Sequence, residues 1–112
     1  GRVVAVEVCE RPGLHIGSVI WEGALILSDY LVTNARLLER FRHNPHVLEL
    51  GSGLGLVGLV AARHGAASVV LTDYMQASVE RAAANAALNG LSGERVKQPV
   101  KLVRRPAEIE YM

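Results

Sequence analysis

Residues 47–55 read VLELGSGLG, where aliphatic residues give way to closely spaced glycines. An almost entirely apolar segment, 54–63, follows directly. This order is typical of a buried strand that enters a tight turn and then a helix. Glycines let the turn approach a ligand that a Cβ atom would block, and the first turn of a helix offers unpaired N–H groups. The stretch therefore predicts a ligand site at the end of a strand.

The residues that follow repeat the alternation of strand and helix. Residues 68–72 (SVVLT) predict a second buried strand, residues 76–88 an alanine-rich helix, and residues 100–103 a third strand. Near-continuous apolar strands that alternate with helices indicate a parallel sheet with covered faces. We therefore predict an α/β fold, a partial Rossmann-like, doubly wound parallel sheet whose helices at 54–63 and 76–88 cover opposite faces.

The N-terminal part predicts a lead-in to this sheet. The β-branched residues of 3–8 predict a strand, and 14–19 an extended return that would pair with it as a hairpin. The period then becomes helical over 19–32. Residues 34–42 either continue that helix or form another.

Composition excludes several classes of protein. The chain has 112 residues, 12 basic and 11 acidic side chains, and half of its residues are hydrophobic, as in one globular domain. Its single cysteine, Cys9, excludes an intrachain disulfide and predicts a cytoplasmic chain, with the nucleus as the alternative. Apolar runs are too short for a membrane span. The four histidines lack metal-ligand spacing, so we expect no metal. The basic residues of 95–105 predict a solvated face, and we expect no nucleic-acid partner.

Two cofactors fit the glycine turn. Gly53, Gly55 and Gly58 match the dinucleotide fingerprint, and Asp73 lies 20 residues after Gly53, which would indicate NAD. Against NAD, Glu49 lies two residues before Gly51, where it would repel a pyrophosphate but attract an ammonium group.

The sequence resembles class I (seven-β-strand) S-adenosylmethionine-dependent methyltransferases through Glu49-x-Gly51-x-Gly53 followed by Asp73. The match is closer to the methyltransferase-like 21 group of protein-lysine methyltransferases. It rests on GSVIWEGA at 17–24, VLELGSGLGLVGLVAARHGA at 47–66, VVLTDY at 69–74 and NAALNG at 85–90.

The resemblance implies S-adenosylmethionine as the cofactor, a protein lysine as the acceptor and a cofactor site made of Trp21, Glu49, Gly51, Ser52, Gly53, Asp73 and Tyr74. The turn at 51–53 would wrap the methionine part, and Glu49 would lie near its amino end. Asp73 would bind the ribose hydroxyls, Tyr74 would flank the adenine, and Trp21 would close over the cofactor. No catalytic residue is implied within the chain.

Simpler structural roles compete with these. Asp73 could instead cap the helix at 76–88, and Trp21 could be a core aromatic, but the glycine turn and the resemblance favour ligand contact for both. Asn85 and Asn89, near the end of that helix, read as capping residues.

The sequence divides into an N-terminal hairpin and helix (1–45), the cofactor-binding half of a methyltransferase domain (46–103) and an off-pattern tail (104–112). We expect an N-terminal fragment that is inactive alone, with Leu48 and Leu50 beside solvent at an open sheet edge. A non-catalytic module that binds a partner through this edge is the rival hypothesis.

Overall fold

The computed structural model describes residues 6–10, 19–43 and 46–102. Two helices precede the sheet, and two more alternate with its strands. The elements are α1 (Glu22–Thr33), α2 (Ala35–His43), β1 (His46–Glu49), α3 (Leu56–Arg63), β2 (Ser68–Asp73), α4 (Gln76–Leu88) and β3 (Val100–Lys101). The predicted strands and helices of the second half are present, and α4 has the predicted bounds. Helix α3 begins two residues later than predicted, and the third strand predicted over 100–103 is wrong for residue 102, while residue 103 lies outside the described residues.

The strands form a parallel sheet in the order β1-β2-β3. In the register, His46 lies opposite Ser68, and Thr72 lies opposite Val100. Because the strands are parallel, their carboxyl ends meet at one edge, where open α/β sheets bind ligands. The predicted α/β fold class is therefore confirmed.

Helices α3 and α4 pack on the same face of β2. Val69 and Leu71, which alternate onto one face, are fully buried in a core with residues of both helices. A Cβ atom at Gly55, the N-cap of α3, would lie 3.0 Å from Leu71 and 3.5 Å from Ala82 of α4. The prediction that the two helices cover opposite faces is therefore wrong. Two successive right-handed crossovers that move in the same direction across a sheet place their helices on one side.

The lead-in helix is shorter than predicted and is followed by a separate one. Residues 19–21 are not helical, and Trp21, the N-cap of α1, has extended backbone angles. Asn34 separates the helices: its N–H donates to the Tyr30 carbonyl, and its Oδ1 accepts from the N–H groups of Arg36 and Leu37. An asparagine side chain in that position starts a new helix.

Residues 6–10 are not part of the sheet, so the strand predicted over 3–8 is wrong for residues 6–8. Their backbone bonds to side chains of α4 instead. Residues 1–5, the predicted return at 14–18 and the tail at 104–112 lie outside the described residues.

One edge of the sheet is open among the described residues. β1 pairs with β2 alone, and Leu48 and Leu50 are 65% and 70% exposed. This confirms the predicted exposure of both side chains.

Two absences hold for the described part of the chain. None of its helices is long and apolar enough to cross a membrane. No group of three or more His, Cys, Asp or Glu side chains is placed to hold a metal ion.

The close packing of α3 on β2 predicts the effect of a single methyl group. A Cβ atom at Gly58 would overlap the Leu71 side chain and lie 3.1 Å from Val69. We expect Gly58→Ala to lower the free energy of unfolding by about 1–3 kcal/mol, the usual cost of overpacking. Gly23→Ala is the control, because a Cβ atom there meets nothing within 4 Å in α1. It should be neutral or stabilising in the same urea titration, and equal losses for both variants would contradict this packing.

Candidate functional site

The glycine turn after β1, which in the structure comprises residues 51–55, needs glycine for its backbone conformation. Gly51 and Gly53 have φ values of 66° and 53°, in the left-handed region that other residues rarely adopt. A Cβ atom at Gly51 would meet nothing within 4 Å, so the turn has open space beside it. The backbone at Gly51 is therefore accessible to a ligand.

Hydrogen bonds fasten this turn to the end of β2. The Ser52 N–H donates to the Thr72 carbonyl at 2.7 Å, and the Thr72 N–H donates to the Ser52 hydroxyl at 3.0 Å. The Thr72 hydroxyl donates to the Glu49 carbonyl at 2.6 Å. Thr72 was missed by sequence reasoning. The sequence feature that could have indicated Thr72 is a hydroxyl residue directly before the strand-end acid and directly after the aliphatic residues 69–71.

Asp73 holds the turn from the other side. Its Oδ2 accepts from the Gly53 N–H at 3.0 Å, and its Oδ1 accepts from the Met75 N–H at 3.0 Å. The side chain is buried, and the N-cap residue of α4 is Met75 rather than Asp73. A carboxylate has about four lone-pair sites, so two bonds leave capacity for further donors.

A cleft of about 280 Å³ lies between the glycine turn, the start of α3 and the start of α1. It brings together five of the seven predicted site residues, namely Trp21, Glu49, Gly51, Ser52 and Gly53. Asp73 joins them through its bond to Gly53. Tyr74 follows at the end of β2, is 52% exposed and is not among the residues that line the cleft. Trp21 is 56% exposed, so it is not a core aromatic.

The Glu49 carboxyl group lies between the cleft and α3. The residue Glu49 lines the cleft, and a Cβ atom at Gly58 of α3 would lie 3.3 Å from the Glu49 Oε1 atom. That oxygen is buried and has no hydrogen-bond partner among the described residues. Burial raises the pKa of Glu49 from 4.5 to about 7, and the nearby Ser52 hydroxyl and Gly58 N–H lower it by less. A buried carboxyl group with one oxygen unpaired is stabilised in its charged form by a nearby cation, so a cationic ligand group beside Glu49 would be favoured.

Asn85 is a second residue that sequence reasoning missed. It was predicted to be a helix cap, but its Nδ2 donates to the Leu54 carbonyl in the glycine turn at 3.0 Å. Asn89 is the C-cap of α4, as predicted, and also bonds to residue 7. Arg95, predicted to be solvated, donates to the Ala62 carbonyl at 3.1 Å.

The raised pKa of Glu49 predicts a pH-dependent stability. Between pH 4.5 and 7 the folded state holds this proton more tightly than the unfolded state. The contribution of the protonated Glu49 carboxyl group to the free energy of unfolding is fully present below pH 4.5. It is lost as the pH rises through 7, because the buried group must then ionise. We therefore expect Glu49→Gln to have little effect near pH 4.5 and to raise the free energy of unfolding by on the order of 1–3 kcal/mol above pH 7.

Denaturant titrations at a series of pH values test this expectation. Glu80→Gln is the control, because Glu80 is exposed on α4 and its substitution should be nearly neutral at every pH. A Glu49→Gln variant less stable than the parent above pH 7 would show that the charged carboxylate is favourably bonded.

Comparison with known proteins gives this site a family context. The sequence profile of the lysine methyltransferase family matches residues 4–102. Methyltransferase-like protein 23 of Dictyostelium discoideum is 30% identical over 77 residues, which are 69% of this chain and 30% of that protein. Protein N-lysine methyltransferase METTL21A of Xenopus tropicalis is 45% identical over 60 residues, covering 54% of this chain and 26% of that protein.

A fungal relative shows the same partial coverage. Protein N-terminal and lysine N-methyltransferase efm7 of Emericella nidulans is 35% identical over 74 residues, which are 66% of this chain and 27% of that protein. The chain thus spans under a third of the length of these relatives. Because the family profile covers nearly all of its residues, the chain belongs to the lysine methyltransferase family.

Proposed function

We propose that this chain provides the S-adenosylmethionine-binding part of a protein-lysine methyltransferase. The observation that carries the proposal is the cleft, where an open glycine turn, Trp21 and Glu49, a residue with an unpaired buried carboxyl oxygen, come together in a chain of this family. In this proposal residues 46–103 are the cofactor-binding half, and Trp21 at the start of α1 covers its cleft.

The residues present fit the chemistry of this cofactor. The amino group of its methionine part is cationic, and Glu49 offers a carboxyl oxygen without a partner. The open space beside Gly51, where a Cβ atom would meet nothing within 4 Å, leaves room for the cofactor atoms that would contact the backbone of the turn. Asp73 has lone pairs left for ribose hydroxyls, and Tyr74 is exposed beside it for the adenine ring.

The packing of the fingerprint glycine Gly55 and the charge of Glu49 weigh against NAD as the ligand. Gly55, the second glycine of the dinucleotide fingerprint, would approach a pyrophosphate in an NAD site, but here it makes room for Leu71 of β2 and Ala82 of α4. The presence of Gly55 is therefore explained by helix packing. A pyrophosphate at the turn would meet the Glu49 carboxylate, whereas a methionine ammonium would be attracted to it.

The bound cofactor supplies a methyl group on a positively charged sulfur, which is already activated for attack by an amine. The protein must therefore chiefly align a neutral lysine amine with that carbon, and alignment alone contributes several kcal/mol to such reactions. Lysine is protonated at neutral pH, with an ordinary pKa of about 10.4, so the amine must lose a proton before it attacks. Among the described residues we assign cofactor-holding roles and no proton acceptor.

A protein amine is the proposed acceptor. METTL21A is named for protein lysine, and efm7 for protein N-terminal and lysine sites. Both names describe methylation of an amine on a protein. We propose a lysine side chain because the family profile is that of lysine methyltransferases. A cytoplasmic location remains a prediction from the single cysteine.

Calorimetry with the reaction product S-adenosylhomocysteine tests the proposed function. We expect it to bind, and we expect NAD at the same concentrations to give no response, because only the former brings an ammonium group to Glu49. Binding of NAD without a response to S-adenosylhomocysteine would overturn the proposal. A protein that binds neither would favour the non-catalytic interaction module.

A second experiment separates the two roles of Asp73. We expect Asp73→Ala to weaken S-adenosylhomocysteine binding about tenfold or more, since a charge-assisted bond is worth about 1.5–3 kcal/mol. The variant also loses the bonds to Gly53 and Met75, so affinity alone would not assign a ribose contact. The 2′-deoxy analogue of the ligand resolves this question.

The parent protein should bind the deoxy analogue more weakly than the natural ligand, whereas Asp73→Ala should bind both about equally. Asp29→Ala is the control, because Asp29 is exposed on α1 and should leave both affinities unchanged. The same discrimination by parent and Asp73→Ala would mean that Asp73 serves only to hold the turn and α4.

A further inference from the structure

Residues 6–10, here named the strap, bond to two asparagine side chains of α4. The Glu7 N–H donates to Asn89 Oδ1 at 2.8 Å, and Asn89 Nδ2 donates to the Glu7 carbonyl at 2.7 Å. The Cys9 N–H donates to Asn85 Oδ1 at 2.9 Å. The asparagines are four residues apart and therefore lie on one side of α4, which lets them bind a single extended segment.

Asn85 connects the strap to the glycine turn. While its Oδ1 accepts from Cys9, its Nδ2 donates to the Leu54 carbonyl at 3.0 Å. Asn85 is 1% exposed, so neither bond is readily replaced by water. Loss of this amide would leave a buried carbonyl without its donor, which is costly. One buried side chain thus joins three segments of the chain.

The other end of the strap reaches the opposite wall of the cleft. Glu10 Oε2 accepts from the Ile20 N–H at 3.0 Å. Ile20 and Trp21 both line the cleft, and α1 begins at the next residue. The strap therefore bonds at Cys9 to the residue that holds the glycine turn, and at Glu10 to the wall that carries the indole.

We propose that the strap positions the two walls of the cofactor cleft relative to each other, with Asn85 and Glu10 as the positioning residues. The proposal rests on the proposed function, because it concerns the binding of that cofactor. Neither side chain is among the residues that line the cleft, so both act through residues that do. Asn85 acts through the Leu54 carbonyl, and Glu10 through the Ile20 N–H.

The strap offers a matched pair of acidic residues for the test. Glu7 and Glu10 are both exposed, but Asn89 binds the backbone of Glu7, whereas the bond to Ile20 uses the Glu10 side chain. Glu7→Ala therefore keeps its strap bonds, and Glu10→Ala loses the bond to the cleft wall. Asn85→Ala and Asn89→Ala form a second pair, since only Asn85 reaches the glycine turn.

The test measures S-adenosylhomocysteine affinity by calorimetry and the quenching of Trp21 fluorescence by acrylamide. Trp21 is the single tryptophan of the chain, so its emission reports on this wall alone. We expect Asn85→Ala to weaken binding about tenfold, because it removes the bond to the buried Leu54 carbonyl together with the bond to the Cys9 N–H. Glu10→Ala should weaken binding and increase quenching, whereas Glu7→Ala should stay within about twofold of the parent in both.

A Glu10→Ala variant that matches Glu7→Ala in affinity and quenching would overturn the proposal. Because both residues are exposed, this pair decides the matter even where Asn85→Ala fails to fold. A larger loss of affinity in Asn89→Ala than in Asn85→Ala would also overturn the proposal. The bond from Asn85 to the Leu54 carbonyl would then have no effect on cofactor binding. A parent protein that binds no S-adenosylhomocysteine would refute the proposed function, and the quenching of the two glutamate variants would still test the strap.

Discussion

Two hydrogen bonds join Ser52 and Thr72 at the carboxyl ends of two neighbouring strands, and the conformation of the candidate site depends on them. The Ser52 N–H reaches the Thr72 carbonyl, and the Thr72 N–H reaches the Ser52 hydroxyl. A turn of glycines has little conformational preference of its own and loses much entropy when it is fixed. Bonds to the rigid end of β2 hold it in one conformation. Asp73 adds a further bond at Gly53, so the turn is fixed before any ligand arrives.

The same constraint sets where the charged group of the cleft lies. With the turn held against β2, α3 begins at once and packs so closely that a Cβ atom at Gly58 would overlap Leu71. The Glu49 carboxyl group is then confined between α3 and the cleft, which raises its pKa to about 7. Its burial costs stability when it is ionised, and a cationic ligand group would recover part of that cost. The close packing of α3 and the proposed preference for a cationic ligand thus have one structural origin.

The local features of this region could be predicted from sequence. The glycine turn, the strand before it and the helix after it follow from hydrophobic period and glycine spacing within residues 47–63, and α4 follows from its alanine content. The resemblance to methyltransferases implied a set of site residues, and the structure brings five of them to one cleft. Composition and spacing predict which residues lie at the carboxyl ends of the strands. In a parallel sheet these ends lie at one edge, so the residues come close together.

The long-range features could not be predicted in the same way. The bonds of Asn85 and Asn89 to the strap span 76 and 82 residues, and no period or spacing in the sequence signals such a pairing. The side of the sheet on which α3 and α4 pack follows from the direction of successive crossovers. The sequence pattern alone does not contain that direction, and the expectation that these two helices cover opposite faces was wrong for this reason.

Hydrogen exchange of individual backbone amides tests most directly whether the glycine turn is fixed before a ligand binds. The N–H groups of Ser52, Gly53 and Thr72 should exchange as slowly as that of Val69 in the core, in protein without ligand, because each is bonded to a partner across the turn. If the Ser52 and Gly53 amides exchange at the rate of an unstructured peptide while the Val69 amide stays protected, the turn is not fixed by β2, and the cleft described here does not exist before a ligand binds.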